Sequence, residues 1–211
     1  MTVRGDRFLK ALIFIAALGP VVYLSVGAAR GALGANPIET ITRSTGTWTL
    51  RFLLVTLAVT PLRRVSGWNE VIRLRRMLGL FAFFYGSLHL LTYVWLDQFF
   101  DWASIAKDVA KRPFITAGFS ADVLLVPLAV TSTAGMIRRL GGRTWRRLHR
   151  LAYIAPALGV VHYWWLVKAD TRPPRNYGVV LAALLLIRLF VVLRNRRVKR
   201  FPAASASTSA S

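Results

Sequence analysis

Residues 146–165 read RRLHRLAYIAPALGVVHYWW: an arginine-rich entry, an apolar run and an aromatic exit, with His149 near the start and His162 near the end. The third and last histidine of the chain, His89, lies in FAFFYGSLHLLTYVW at residues 81–95. An ionisable ring inside an apolar segment is costly to bury, so its default reading is functional. Three imidazoles with no thiol and no carboxylate cluster point to haem iron. The absence of cysteine excludes disulfides, iron–sulfur clusters and thiolate ligation of haem.

Outward from this stretch, further apolar runs recur along the chain. The hydropathy pattern places helices at about 11–29, 47–62, 77–96, 114–137, 147–167 and 177–193. Each approaches the roughly 20 residues that a membrane-spanning helix requires. The expected fold is therefore an all-α integral membrane protein, a six-helix transmembrane bundle forming one domain over residues 1–200. The Ala/Ser-rich tail 201–211 is read as disordered. The first run holds a Gly19-Pro20 kink point and ends in the small residues Gly27-Ala28-Ala29, as a cleaved signal would. Its length beyond a usual signal core favours a retained helix. Residues 30–46 read as a loop with a turn at Asn36-Pro37, and the polar stretch 97–112 as a surface helix. No internal repeat is visible.

The net charge of +21 raises the question of nucleic acid. The cations, however, flank apolar runs without a stacking platform or recognition motif, so no nucleic-acid partner is expected. They follow topology instead. With the N-terminus in the cytoplasm, 19 of the 29 basic residues fall on inner segments and nine on outer ones, while outer loops hold five of the eight acids. That is the positive-inside bias, with both termini cytoplasmic and anionic lipid as the counter-charge.

In this topology His89 lies about 18 Å along its helix and His162 about 20 Å beyond His149 at 1.5 Å per residue. His89 and His162 thus reach a similar depth on two helices, as the axial ligands of one outer haem must. For either histidine alone, an interhelical hydrogen bond or a proton pathway is an even rival; the depth match favours the ligand pair. His149 has no histidine partner at its own depth, where Arg75 and Arg76 stand. It is read equally as a solvated interfacial residue or as a contact to an inner haem, a flavin or a haem propionate. Arg51 is read as snorkelling, with a propionate contact as the sharper alternative. Asp122, within a predicted span, is assigned no function.

The chain resembles the MsrQ (YedZ) family of haem-binding membrane subunits. The resemblance rests on GALGANP, TGTWTLRFLLVTLAVTPLRR, IRLRRMLGLFAFFYGSLHLLTY, KRPFITAG and LAVTSTAGMIRRLGGRTWRRLHRLAYIAPALGVVHYWW. More distantly it resembles the ferric reductase and NADPH oxidase transmembrane domain, from which it departs where Arg75 and Arg76 replace a fourth histidine. The resemblance implies haem b (one, or two with an unusual inner sixth ligand) and FMN, with His89, His149 and His162 as the haem histidines. It implies the bacterial inner membrane and a periplasmic molybdopterin partner, MsrP, that reduces methionine sulfoxide. Electrons would come from a separate cytoplasmic flavin reductase or the quinone pool. A stand-alone ferric or quinone reductase is the nearest rival. A proton-coupled transporter using Asp122 and the histidines is the rival from another class.

Overall fold

The computed structural model describes the backbone of residues 3–200 and the side chains of residues 7–194, so the Ala/Ser tail lies outside the described residues. The elements are α1 (Val3–Ala29), α2 (Pro37–Ser66), a 3-10 turn (Asn69–Leu74), α3 (Arg75–Leu91), a π turn (Thr92–Asp97), α4 (Trp102–Lys111), α5 (Pro113–Val130), α6 (Ala134–Leu148), α7 (Leu151–Leu166) and α8 (Arg172–Arg200). No strand occurs among the described residues, as the all-α reading expects.

Four segments are long and apolar enough to cross a membrane: Arg7–Ala29 in α1, Asn69–Asp97 around α3, Pro113–Val130 and Arg172–Arg194 in α8. The apolar α7 has 16 residues. α2 has 30 but falls outside that group, its apolar middle being diluted by Thr, Arg51 and the terminal arginines. The outer faces of α1 and α8 expose large apolar side chains, among them Phe8, Ile15, Val179, Leu186 and Phe190. Contiguous apolar surface of this kind belongs against lipid.

Several predicted boundaries are corrected. The turn signal Asn36-Pro37 is a helix start: the Asn36 side chain accepts from the Glu39 amide at 3.2 Å and Pro37 takes the first helical position. Most of the expected 30–46 loop is thus helical, and α2 runs to Ser66, where Gly67 (φ +68°) supplies the left-handed cap. The single helix expected over 114–137 is two. Thr131 and Ser132 turn their hydroxyls back onto the Pro127 and Leu128 carbonyls at 2.6 Å each, and Thr133 caps a new helix through the Met136 amide. That helix, α6, is amphipathic, carries five arginines and bends at Gly141 (φ +72°). It also takes Arg147 and Leu148 from the predicted 147–167 helix, so α7 begins only at Leu151. The surface helix expected within 97–112 is α4, with Asp101 as its cap.

The main core joins α1, α2, α3, α5 and α7, and a second cluster joins α2, α7 and α8. Tyr85 on α3 is fully buried and enters the backbone ladder of α1. Its hydroxyl donates to the Ala17 carbonyl at 2.8 Å and accepts from the Val21 amide at 3.2 Å, beside Pro20. A side chain inserted between residues i and i+4 bends a helix. At the other end of the bundle, Arg188 turns inward. It donates to the Tyr153 hydroxyl, to Thr60 Oγ1 at 2.9 Å and to the Leu57 carbonyl at 3.4 Å, tying α8 to α7 and α2.

Candidate functional site

α2 packs along α3, and α5 along α7, more closely than other helix pairs. Each pair contributes one histidine to a common space. His89 near the end of α3 and His162 near the end of α7 line one cavity of about 910 Å³, with ring centroids 6.1 Å apart and ring planes at 74°. Phe114 lies against the His162 ring, centroids 6.2 Å apart.

Both imidazoles are engaged through Nδ1. His89 Nδ1 is 2.9 Å from the Thr42 carbonyl oxygen on α2, and His162 Nδ1 is 2.6 Å from the Phe114 carbonyl oxygen on α5. A carbonyl only accepts, so each Nδ1 carries the proton and each Nε2 keeps its lone pair. A carbonyl bond that fixes tautomer and ring orientation is the usual support of a ligating histidine.

The cavity fits a haem on three counts. With roughly 2 Å from a metal to each imidazole nitrogen, two rings flanking one metal have centroids about 6 Å apart, as these do. No group of three metal-ligating side chains occurs among the described residues, so remaining coordination positions would need a non-protein ligand such as a tetrapyrrole. The lining is polarised. Leu50, Leu53, Leu125 and Ala155 form an apolar interior, while Arg43 and Lys168 bring cations to the polar part formed by the segments around Asn36 and Ala169. That distribution suits an apolar macrocycle with two carboxylates. Arg43 is paired with Glu39, whereas Lys168 has no carboxylate partner among the described residues.

The π turn directly after His89 brings Tyr93 and Asp97 into the same lining, and Tyr93 is anchored to α4 by its hydroxyl bond to Asp108 at 3.1 Å. π turns are enriched at functional sites. Asp122, one turn beyond Gly118 on α5, also lines the cavity, beside Gly86 of α3.

The other two candidates lie elsewhere. His149 is not part of the lining. It sits at the junction of α6 and α7, its ring stacked on Trp145 at 3.9 Å and its Nε2 3.1 Å from Thr131 Oγ1. Trp145 in turn donates to the Thr131 carbonyl at 3.0 Å. Arg51 is also outside the lining, lying over the Trp48 ring at 4.7 Å with its Nε donating to the Tyr177 hydroxyl at 3.1 Å. The carbonyls of Thr42 and Phe114 escape a reading based on side chains. Their one signal is glycine: Gly46 and Gly118 follow them by four residues, inside two of the blocks that carry the family resemblance.

Comparison with known proteins follows the same lines. The family described as ferric reductase like transmembrane component matches residues 45–160, from the start of the α2 apolar region to just short of His162. The chain is 58% identical over 190 residues to the protein-methionine-sulfoxide reductase heme-binding subunit MsrQ of Herminiimonas arsenicoxydans, covering 89% of this chain and 87% of that one. It is 53% identical over 197 residues to the MsrQ of Rhodospirillum rubrum, covering 93% and 95%. With the MsrQ of Ralstonia nicotianae the identity is 53% over 196 residues, covering 92% and 90%.

Proposed function

The chain belongs to the MsrQ family of ferric reductase-like membrane subunits, and from that membership we propose that it is a b-type cytochrome serving a methionine sulfoxide reductase system. His89 and His162 would hold one haem between them. The observation that carries this reading is their convergence: two imidazoles from separate helices, 6.1 Å apart across a shared cavity, each with Nδ1 held by a carbonyl. When bound, haem supplies a one-electron carrier. The chain's own residues hold it, set the basicity of its ligands through the two carbonyl bonds, and surround it with an apolar wall.

In this reading six helices cross the bacterial inner membrane, α2 and α7 included, with both termini cytoplasmic. The support is the charge bias along the sequence and the apolar outer faces of α1 and α8. The segments around Asn36 and Ala169 then face the periplasm, where MsrP would take up the electrons. The two electrons and two protons that convert a sulfoxide to a thioether and water are consumed there. A cytoplasmic flavin reductase or the quinone pool is the donor class. The cavity lining offers no glycine-rich phosphate cradle for FMN.

His89→Ala and His162→Ala are each expected to abolish the low-spin haem spectrum of the detergent-purified protein without preventing insertion. Haem per chain equal to wild type in both would refute the assignment. The ferric reductase likeness favours one second reading, a stand-alone reductase. Turnover of a ferric chelate by the loaded subunit with no periplasmic partner would support it.

A further inference from the structure

The two histidines are seated by the same device, used twice. Thr42 and Gly46 lie four residues apart on α2, as Phe114 and Gly118 do on α5. In an α-helix the carbonyl of residue i receives the amide of residue i+4. The Thr42 carbonyl therefore serves the Gly46 amide and His89, with the Thr45 hydroxyl as a further donor at 3.0 Å, and the Phe114 carbonyl serves both the Gly118 amide and His162. The residue beside each shared carbonyl is a glycine, and an added Cβ would crowd the approach, severely at Gly118 and slightly at Gly46. A Cβ on Gly46 would stand 3.0 Å from His89 Cε1 and 3.1 Å from its Nδ1; one on Gly118 would stand 2.7 Å from His162 Nδ1. The sequence separations agree as well, 47 residues from Thr42 to His89 and 48 from Phe114 to His162. The pairs α2–α3 and α5–α7 are two copies of one clamp, although no repeat is visible in the sequence.

We propose that Gly46 and Gly118 are positioning residues for the haem ligands: each opens the groove through which an imidazole reaches a backbone carbonyl, and together they hold the two ligand planes nearly perpendicular, at 74°. This rests on the assignment of His89 and His162 as ligands of one haem. The orientation has an electronic signature. Perpendicular axial imidazoles leave two iron d orbitals nearly degenerate in the ferric state. The electron paramagnetic resonance is then a highly anisotropic low-spin signal dominated by one large-g feature. Parallel planes split those orbitals and give a three-line rhombic spectrum.

The test is the resonance spectrum of the oxidised, haem-loaded full chain, with haem quantified per chain. Wild type is expected to show the large-g feature. A rhombic low-spin spectrum would overturn the proposal and leave the histidine pair standing, whereas a high-spin or haem-free preparation would overturn both. In Gly118→Ala the 2.7 Å overlap forces the ring to move, and the large-g feature should be lost or shifted to the rhombic form. In Gly46→Ala, where a few tenths of an ångström relieve the contact, the shift should be smaller. Gly79→Ala on α3 is the control, because its Cβ would meet Thr56 only at 3.8 Å, and its spectrum should match wild type. If Gly118→Ala and Gly46→Ala both retain the wild-type signal at full haem content, the glycines do not position the ligands. Gly46→Ala also serves where Gly118→Ala fails to fold.

Discussion

An imidazole has two nitrogens, and the use made of each separates the three histidines of this chain. His89 and His162 give Nδ1 to a carbonyl and keep the lone pair of Nε2; His149 gives Nε2 to Thr131 and lays its ring on Trp145. The first two were legible as a pair from depth along their helices, because rise per residue is a property of any helix. Their supports were not, since a backbone acceptor has no side-chain signature. His149→Phe keeps the stack on Trp145 and removes one hydrogen bond. It is expected to leave haem per chain unchanged while lowering stability by about 1 kcal/mol, the net worth of one such bond. Loss of half the bound haem in that variant would instead reinstate an inner site at His149. Arg51, satisfied by Trp48 and Tyr177, is expected to be equally dispensable for haem content in Arg51→Gln.

Among the elements, long apolar helices were legible and their ends were not. Asn36-Pro37 carries the chemistry of a turn and of a helix N-terminus at once, and only the three-dimensional partner of the Asn36 side chain decides between them. The break at Thr131–Thr133 is similar: hydroxyls that return to the preceding carbonyls end α5 where hydropathy alone runs on. α4 shows a cap with a measurable pH dependence. Asp101 accepts from the Ser104 amide and hydroxyl and from the Ala103 amide, and these bonds, Ser104's foremost, hold its carboxyl below the usual carboxylate range. A lowered folded value means the cap contributes fully above the ordinary Asp value of about 3.9 and is lost as pH falls through the lower folded value. The Ala103 and Ser104 amides are therefore expected to exchange faster on acidification below that point. In Asp101→Asn, which keeps the cap without the charge, that acceleration should disappear; its persistence would place the titration elsewhere.

At the scale of the whole molecule, the charge pattern and the cavity agree on one axis. The arginine-rich α6 and the inward-turned Arg188 occupy the end opposite the histidine cavity, whose lining includes Glu39, Asp97 and Asp170. The alternation of apolar runs made the class of fold legible. The pairing of α2 with α3 and of α5 with α7 was not, because packing partners depend on small residues and backbone approach rather than on hydropathy. The chain has no cysteine, so single introduced thiols report topology without background. Lys168→Cys is expected to react with a membrane-impermeant maleimide from the periplasmic side of intact spheroplasts, and Arg143→Cys only after lysis. The reverse pattern would invert the proposed orientation.

A chain that enters the bilayer from its N-terminus delivers α1 well before Tyr85, which lies 64 residues beyond Val21. In the interval the Val21 amide has only the Ala17 carbonyl to turn to, because lipid offers no other partner. Arrival of α3 brings both groups a shared further partner, the Tyr85 phenol, which donates to the Ala17 carbonyl and accepts from the Val21 amide. The helix made first thus completes the partnering of its buried middle only with a segment made later.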